Sequence, residues 1–561
     1  MPAIKTTATV ALLAASALAL SSCASSKRND DKAAGTDAAS AAKGNTNATL
    51  NFGAAGAPAT FDPFYASDGE TFRISRQIFQ GLVGFKPGTA DVAPALATKW
   101  EPSPDGKTWT FTLKTGVKFT DGTPFNADAV CKNFKRMDSQ NAAGQTASEY
   151  WLTNMGGYNG AKGELYQGCT AKGDSTVVIK ISRPTSKFPA LLGLPAFSMQ
   201  SPTAMDKYDA NGIKAQGQGF VYPAYANAHP VGTGPMKFEK YDQTNKTVSL
   251  VRNDDYAGDE KPTVKRIVFS IIPDETARKQ ALASGQIDGY DLPNPVDWPS
   301  LKKDDNLEIR PAFNILYLGL NAKVDPNLKD LRVRQALYYA INRDQLVRSL
   351  LPSGANVASQ FIPSTVAGYN KSLQPYTYDP AKAKSLLAAA GKSNLKITLW
   401  YPTEVSRPYM PAPDKIFNAI KSDWAAVGVQ VTPKPMPWAG GYVTGTQNGN
   451  AAAYLMGWTG DYNTPDNFLG SFFADPKGQM SVGAYDWGSK LADALSADDS
   501  IVDEGKRASA YEDLNKQIME QYLPGLPISS SPPAIVFSKK VTGVVASPLT
   551  DEHLWTAKVD K

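Results

Sequence analysis

Apolar and polar side chains alternate along Trp109-Thr110-Phe111-Thr112-Leu113-Lys114, the period of a strand with one buried face. The run follows the turn residues Ser103-Pro104-Asp105-Gly106 and leads through Val117-Lys118-Phe119 to a second turn at Asp121-Gly122, so the two segments are predicted to pair as a β-hairpin. Asn126 then caps a predicted helix whose Val130, Phe134 and Met137 share one face. A second helix is predicted to start at Asp379-Pro380, run through Lys384, Leu386 and Leu387, and stop at Gly391. Strand patterns recur at 236–238 with 248–250, at 267–269 and at 315–320, and helical patterns fill 332–351 and 413–427. The pattern predicts a mixed α/β chain without internal repeats.

The apolar run at 8–20 differs in kind. It follows Lys5 and precedes small residues, which reads as an export signal over 1–22 and is too short for a spanning helix. It ends in Leu20-Ser21-Ser22-Cys23, which resembles the bacterial lipobox; Cys23 is then expected to carry a lipid anchor, the alternative being an incidental cysteine after an ordinary signal. Residues 23–48 are rich in Ala, Ser, Gly, Asn, Asp and Lys without an apolar period, the composition of a flexible tether. No later segment is apolar for long enough to cross a membrane.

The chain has 561 residues, enough for two or three domains after the tether. Its 58 Lys and Arg against 53 Asp and Glu are dispersed, which offers nucleic acid no basic stripe. Cys131 and Cys169 lie in one region of an exported chain, so a disulfide is the default and two buried thiols the alternative. Closing that loop would contribute about 3–4 kcal/mol. Neither cysteine has a nearby histidine to serve as a base.

The most suggestive chemistry is Gly457-Trp458-Thr459-Gly460-Asp461-Tyr462, followed by Asn463-Thr464-Pro465-Asp466-Asn467-Phe468-Leu469. A carboxylate at Asp461 between Trp458 and Tyr462 can pair with an ammonium group while the rings exclude water. The competing reading is packing plus a side-chain-capped loop.

The order of motifs resembles the extracellular solute-binding proteins of ABC importers, the family 5 group that includes oligopeptide-, dipeptide- and nickel-binding lipoproteins. The blocks that carry it are Thr60-Phe61-Asp62-Pro63, Ile78-Phe79-Gln80-Gly81-Leu82, Gly116-Val117-Lys118-Phe119-Thr120-Asp121-Gly122-Thr123-Pro124-Phe125, His229-Pro230-Val231-Gly232-Thr233-Gly234-Pro235, Asp330-Leu331-Arg332-Val333-Arg334-Gln335-Ala336 and Leu523-Pro524-Gly525-Leu526-Pro527-Ile528. The resemblance covers nearly everything after the tether. It implies a two-lobed α/β protein of the periplasmic-binding-protein, class II or Venus-flytrap, kind with an extra inserted subdomain. One lobe is expected from 49–92, 232–312 and 525–561, the inserted subdomain from 93–231, and the second lobe from 313–524.

The resemblance also implies roles. Asp461 matches the Asp that peptide-binding members set against the ligand's α-ammonium, with Trp458 and Tyr462 as the wall beside it. Arg407, in Val405-Ser406-Arg407-Pro408-Tyr409, matches the Arg that holds the ligand carboxylate in dipeptide-type members, where a guanidinium can donate two parallel hydrogen bonds; a surface loop charge is the alternative. Trp438, and the backbone around Ser67-Asp68-Gly69, are further candidates for walls and main-chain contacts. The implied function is capture of short peptides for an ABC permease and its ATPase by a monomer anchored on the outer face of a bacterial cell membrane, without catalysis, cofactor or metal. Relatives also take oligosaccharides, nickel complexes, haem, opines or antibiotics. The scarcity of histidine weighs against nickel and haem, whereas ten tryptophans leave sugars open. A surface peptide-signal receptor without transport is the remaining alternative.

Other chemistries find little support. Lys114-Thr115-Gly116 with scattered Ser-x-x-Lys has no Ser-Asp-Asn, and the in-body copies follow where they should precede it. His229 and His553, the only histidines, have no partner at metal spacing. Gly232-Thr233-Gly234 leads into a strand pattern where a phosphate cradle needs a helix. Asp461 to Asp466 opens like a calcium loop but lacks its glycine and terminal glutamate.

Overall fold

A computed structural model describes residues 47–217 and 219–560. The export signal, Cys23 and nearly all of the expected tether lie outside the described residues. The tether was expected to reach residue 48, but Ala48 is already buried and its carbonyl accepts from the Lys265 and Arg266 amides. The folded body therefore begins one residue earlier.

Three sheets organise the body. The first has seven strands in the spatial order Met236–Asp242, Thr247–Arg252, Arg266–Ile271, Thr49–Ala54, Gly289–Asp291, Ala534–Phe537 and Asn306–Ile309. The second has six, in the order Asn356–Val357, Gly525–Ser530, Asn314–Leu320, Ala453–Thr459, Lys396–Thr403 and Gln430–Pro437. The third is the inserted unit, in the order Ala97–Pro102, Thr108–Leu113, Thr176–Ile181 and Tyr166–Ala171. This is a two-lobed α/β fold with an additional subdomain. At the centre of the second lobe every residue of Asn314–Leu320 is buried. Its near-continuous apolar run is what a strand covered on both faces requires.

The chain crosses between the lobes twice, at 310–313 and 531–533. The crossings are tied together: the Arg310 amide donates to the Pro533 carbonyl at 2.8 Å. The Asn314 side chain donates to the Ser531 carbonyl at 2.7 Å and accepts from the Ser531 amide at 3.0 Å. Below them the buried Arg310 guanidinium bridges Asp291 at 2.5 Å and Glu552 at 2.7 Å. Because Gly525–Ser530 pairs with Asn314–Leu320, the second lobe ends at 530 and not at the expected 524. The block around Pro527 is a strand of that lobe, and the return to the first lobe follows it.

Local expectations fare unevenly. Asn126 caps the helix Ala127–Asp138 through the Ala129 amide, Asp379 caps Pro380–Ala389 through the Lys382 amide, and 413–427 is the helix Pro413–Ala426. The predicted pairing of 109–114 with 117–119 does not occur. Thr108–Leu113 pairs instead with Ala97–Pro102 across the Ser103–Gly106 turn and with Thr176–Ile181. Ala97–Pro102 is a largely exposed edge strand, so it carries almost no alternating signal. The helical pattern of 332–351 is two helices, Leu331–Tyr339 and Arg343–Leu350. Asn342 caps the second by accepting from the Gln345 amide, and both helices bury apolar residues in the same core, which keeps the periodicity running across the break. Cys131, on the Ala127–Asp138 helix, is bonded to Cys169 on Tyr166–Ala171.

Candidate functional site

Trp458 and Asp461 owe their positions to the end of one strand. Ala453–Thr459 pairs along its length with Asn314–Leu320, Trp458 opposite Ile315. The Gly460 amide closes the pairing on the Phe313 carbonyl at 2.9 Å. A side chain on Gly460 would collide with Phe313 and Phe468, so the chain turns there on a glycine and presents Asp461 beyond the sheet. Asn467 fixes the loop from inside: its Oδ1 accepts from the Asp461 amide at 2.7 Å and from Trp458 Nε1 at 3.4 Å. The capped-loop reading of this motif is therefore correct, and the capping group is Asn467.

Asp461, Trp458 and Tyr462 border one cavity of about 660 Å³. Residues 458–475 and the end of the Gly488–Asp499 helix form one wall, and residues 149–154 and 183–187 of the inserted unit form the other. Tyr462 is almost wholly covered, with 3% exposure, whereas Trp458 keeps part of its ring accessible. Burial pushes the Asp461 carboxyl up to about 6; hydrogen bonding to Tyr150 and the positive charge of Arg76 pull it back, and Glu149 adds to the rise. Tyr150 Oη donates to Asp461 Oδ1 at 3.3 Å across the cleft. A recessed carboxylate that meets Tyr150 only at 3.3 Å is suited to pairing with a ligand cation.

Arg407 borders a second, smaller cavity of about 240 Å³, beside the crossing residues Pro532 and Pro533 and facing Glu70 and Asp291. Its guanidinium lies 4.4 Å over the Trp438 ring, a favourable cation–π arrangement. Among the described residues its buried Nε has no hydrogen-bond partner, and that unmet donor fits an arriving anion. A tight turn holds it, with Arg407 and Met410 exchanging backbone hydrogen bonds at 3.1 and 2.9 Å. Two residues on, the Tyr409 ring packs where a side chain on Gly457 would stand, so the loop of Arg407 and the strand of Trp458 rest on each other. Trp438 and Arg407 are thus brought together, as are Trp458, Asp461 and Tyr462. In 67–69, Ser67 and not Gly69 borders the larger cavity; Gly69 is the first residue of the Gly69–Ile78 helix, capped by Asp68.

Sequence reasoning missed Tyr150, Lys187 and Asp499. Lys187 pairs with Asp466 at 2.9 Å, and Asp499 accepts from Thr185 and Ser186. Each pair is joined only by the closing of distant segments, and no local spacing announces it.

Residues 91–479 match the sequence profile of the bacterial extracellular solute-binding proteins, family 5 (middle region). The chain belongs to this family. Family 5 members are substrate-binding proteins and not enzymes, and so is this chain. The dipeptide-binding protein of Escherichia coli K12 is 33% identical over 527 residues, 91% of this chain and 95% of that protein. Heme-binding protein A of Haemophilus influenzae is 31% identical over 562 residues, covering 98% of each. Among solved family 5 folds, the periplasmic binding protein DppA of Helicobacter pylori in complex with the peptide STSA superposes with a TM-score of 0.74 at 26% identity, over 92% of this chain and 98% of that one.

Proposed function

We propose that this protein captures short peptides outside the cell membrane and hands them to an ABC permease driven by its ATPase. Asp461 would hold the α-ammonium, Arg407 the α-carboxylate, and Trp458 and Trp438 would wall the two ends. The observation that carries the reading is the provision of opposite, recessed charges on loops that pack together through Tyr409 and Gly457. Peptide-binding relatives in family 5 support it. Asp461 and Arg407 border different cavities, so the reading requires one ligand to reach both; on it, dipeptides and tripeptides are expected to bind and long peptides are not. Lipid anchoring through Cys23, a monomeric state and a place on the extracytoplasmic face of a bacterial membrane complete the proposal; no nucleic acid is involved.

Calorimetry with the dipeptide Ala-Leu, its N-acetyl derivative and its C-terminal amide tests this. Binding of Ala-Leu with loss of affinity on blocking either end is the expected result. Equal affinity for all three, or for a long peptide, would overturn the reading. Haem is the reading favoured by the Haemophilus influenzae relative, but neither histidine borders either cavity: His229 stacks on Tyr208 at 3.8 Å and His553 pairs with Glu260 at 2.5 Å. A haem titration that saturates at one equivalent would favour it nonetheless.

A further inference from the structure

The mouth of the larger cavity carries a set of polar contacts that join the inserted unit to the second lobe. They come from one segment of the inserted unit and two of the second lobe. Residues 183–187 follow the Thr176–Ile181 strand of the inserted unit, while Asp466 opens the Asp466–Gly470 turn and Asp499 ends the Gly488–Asp499 helix in the second lobe. Asp499 accepts from Thr185 Oγ1 at 2.6 Å, from Ser186 Oγ at 2.8 Å and from the Ser186 amide at 3.2 Å, and its own carbonyl accepts from that amide at 3.0 Å. Its side chain is only 4% exposed, with Arg183 Nη1 3.9 Å away. Beside it Lys187 Nζ lies 2.9 Å from Asp466 Oδ2, the two side chains 14% and 15% exposed.

From this geometry we infer that Thr185, Ser186 and Lys187 with Asp466 and Asp499 form a polar clamp that holds the lobes shut and sets how long a ligand stays. They are positioning residues. The inference rests on reading the cavity behind them as the ligand site. Charge-assisted hydrogen bonds in a nearly dry contact are of the strong kind. A carboxylate as covered as Asp499 is tolerated only while its donors stay in place, so the contact is either fully made or fully solvated. That is the behaviour of a two-state closure, in which a contact present in one state alone shifts the population toward that state. Ligand affinity then depends on side chains that need not touch the ligand.

The test uses the mature chain with Cys23→Ser and nitroxide labels at Lys172→Cys and Lys516→Cys, both exposed positions on the inserted unit and the second lobe. Double electron–electron resonance reads the separation of the lobes, and stopped flow reads release of Ala-Leu. Asp499→Asn and Lys187→Asp are expected to broaden the distances toward longer values and to speed release by about tenfold or more. Combining Lys187→Asp with Asp466→Lys is expected to restore both, which a merely structural role would not do. Thr185→Val supplies the same comparison if Asp499→Asn fails to fold. Superimposable distances overturn the clamp, including the case where release alone speeds up, since that would mark a direct ligand contact. If the parent protein binds no Ala-Leu, the peptide reading falls while the distances still decide the clamp.

Discussion

At the scale of single residues the proposed function turns on Asp461. Its carboxyl is pushed up to about 6 by burial, so it is charged at neutral pH and neutral in mild acid. Affinity for Ala-Leu is therefore expected to be level between pH 7 and 8 and to fall as pH drops through 6, by about tenfold per unit below it; calorimetry across pH 5–8 checks this. The sign for stability is opposite. The native state holds this proton more tightly than the unfolded chain, so the penalty for a charged Asp461 is absent at pH 4 and grows as pH rises through 6. Asp461→Asn should thus gain about 1–2 kcal/mol in denaturant unfolding at pH 7.5 while losing about 2–5 kcal/mol of peptide affinity. A variant that loses both would show Asp461 to be a structural residue. Asp461 and Trp458 were legible because strand end, glycine turn and capping Asn467 all lie within ten residues. Tyr150 was not, since it reaches Asp461 across a sequence separation of 311.

Among elements, the buried strand Asn314–Leu320 and the capped helices were legible because their signals are local: an apolar run, an Asn or Asp cap, a Pro at the first turn. The break at Asn342 was hidden inside an unbroken apolar period, and Ala97–Pro102 was hidden because an edge strand buries little. The crossing pair is the element most open to test. Asn314 satisfies both backbone groups of Ser531 in a buried setting. Asn314→Ala would orphan an amide and a carbonyl together, and about 2–4 kcal/mol of stability should be lost in urea unfolding. In the inserted unit, replacing Cys131 and Cys169 together by alanine should cost about 3–4 kcal/mol through the 38-residue loop they close, read as a lower unfolding midpoint.

For the whole molecule, two lobes joined by two tied crossings, with recessed charges on packed loops and polar contacts at the cavity mouth, are the features on which the proposed capture of a small charged ligand rests. The order of sequence blocks foretold the lobes and the inserted unit, while the final crossing lay six residues beyond the expected boundary because Gly525–Ser530 completes a sheet whose other strands are remote in sequence. The ligand's identity is the point on which everything above turns. Native mass spectrometry of the protein purified without denaturation, followed by release and sequencing of what it carried, reads that identity directly. A ladder of dipeptide and tripeptide masses is the predicted result; a single sugar, haem or metal complex would contradict the pairing of Asp461 with an amine and Arg407 with a carboxylate.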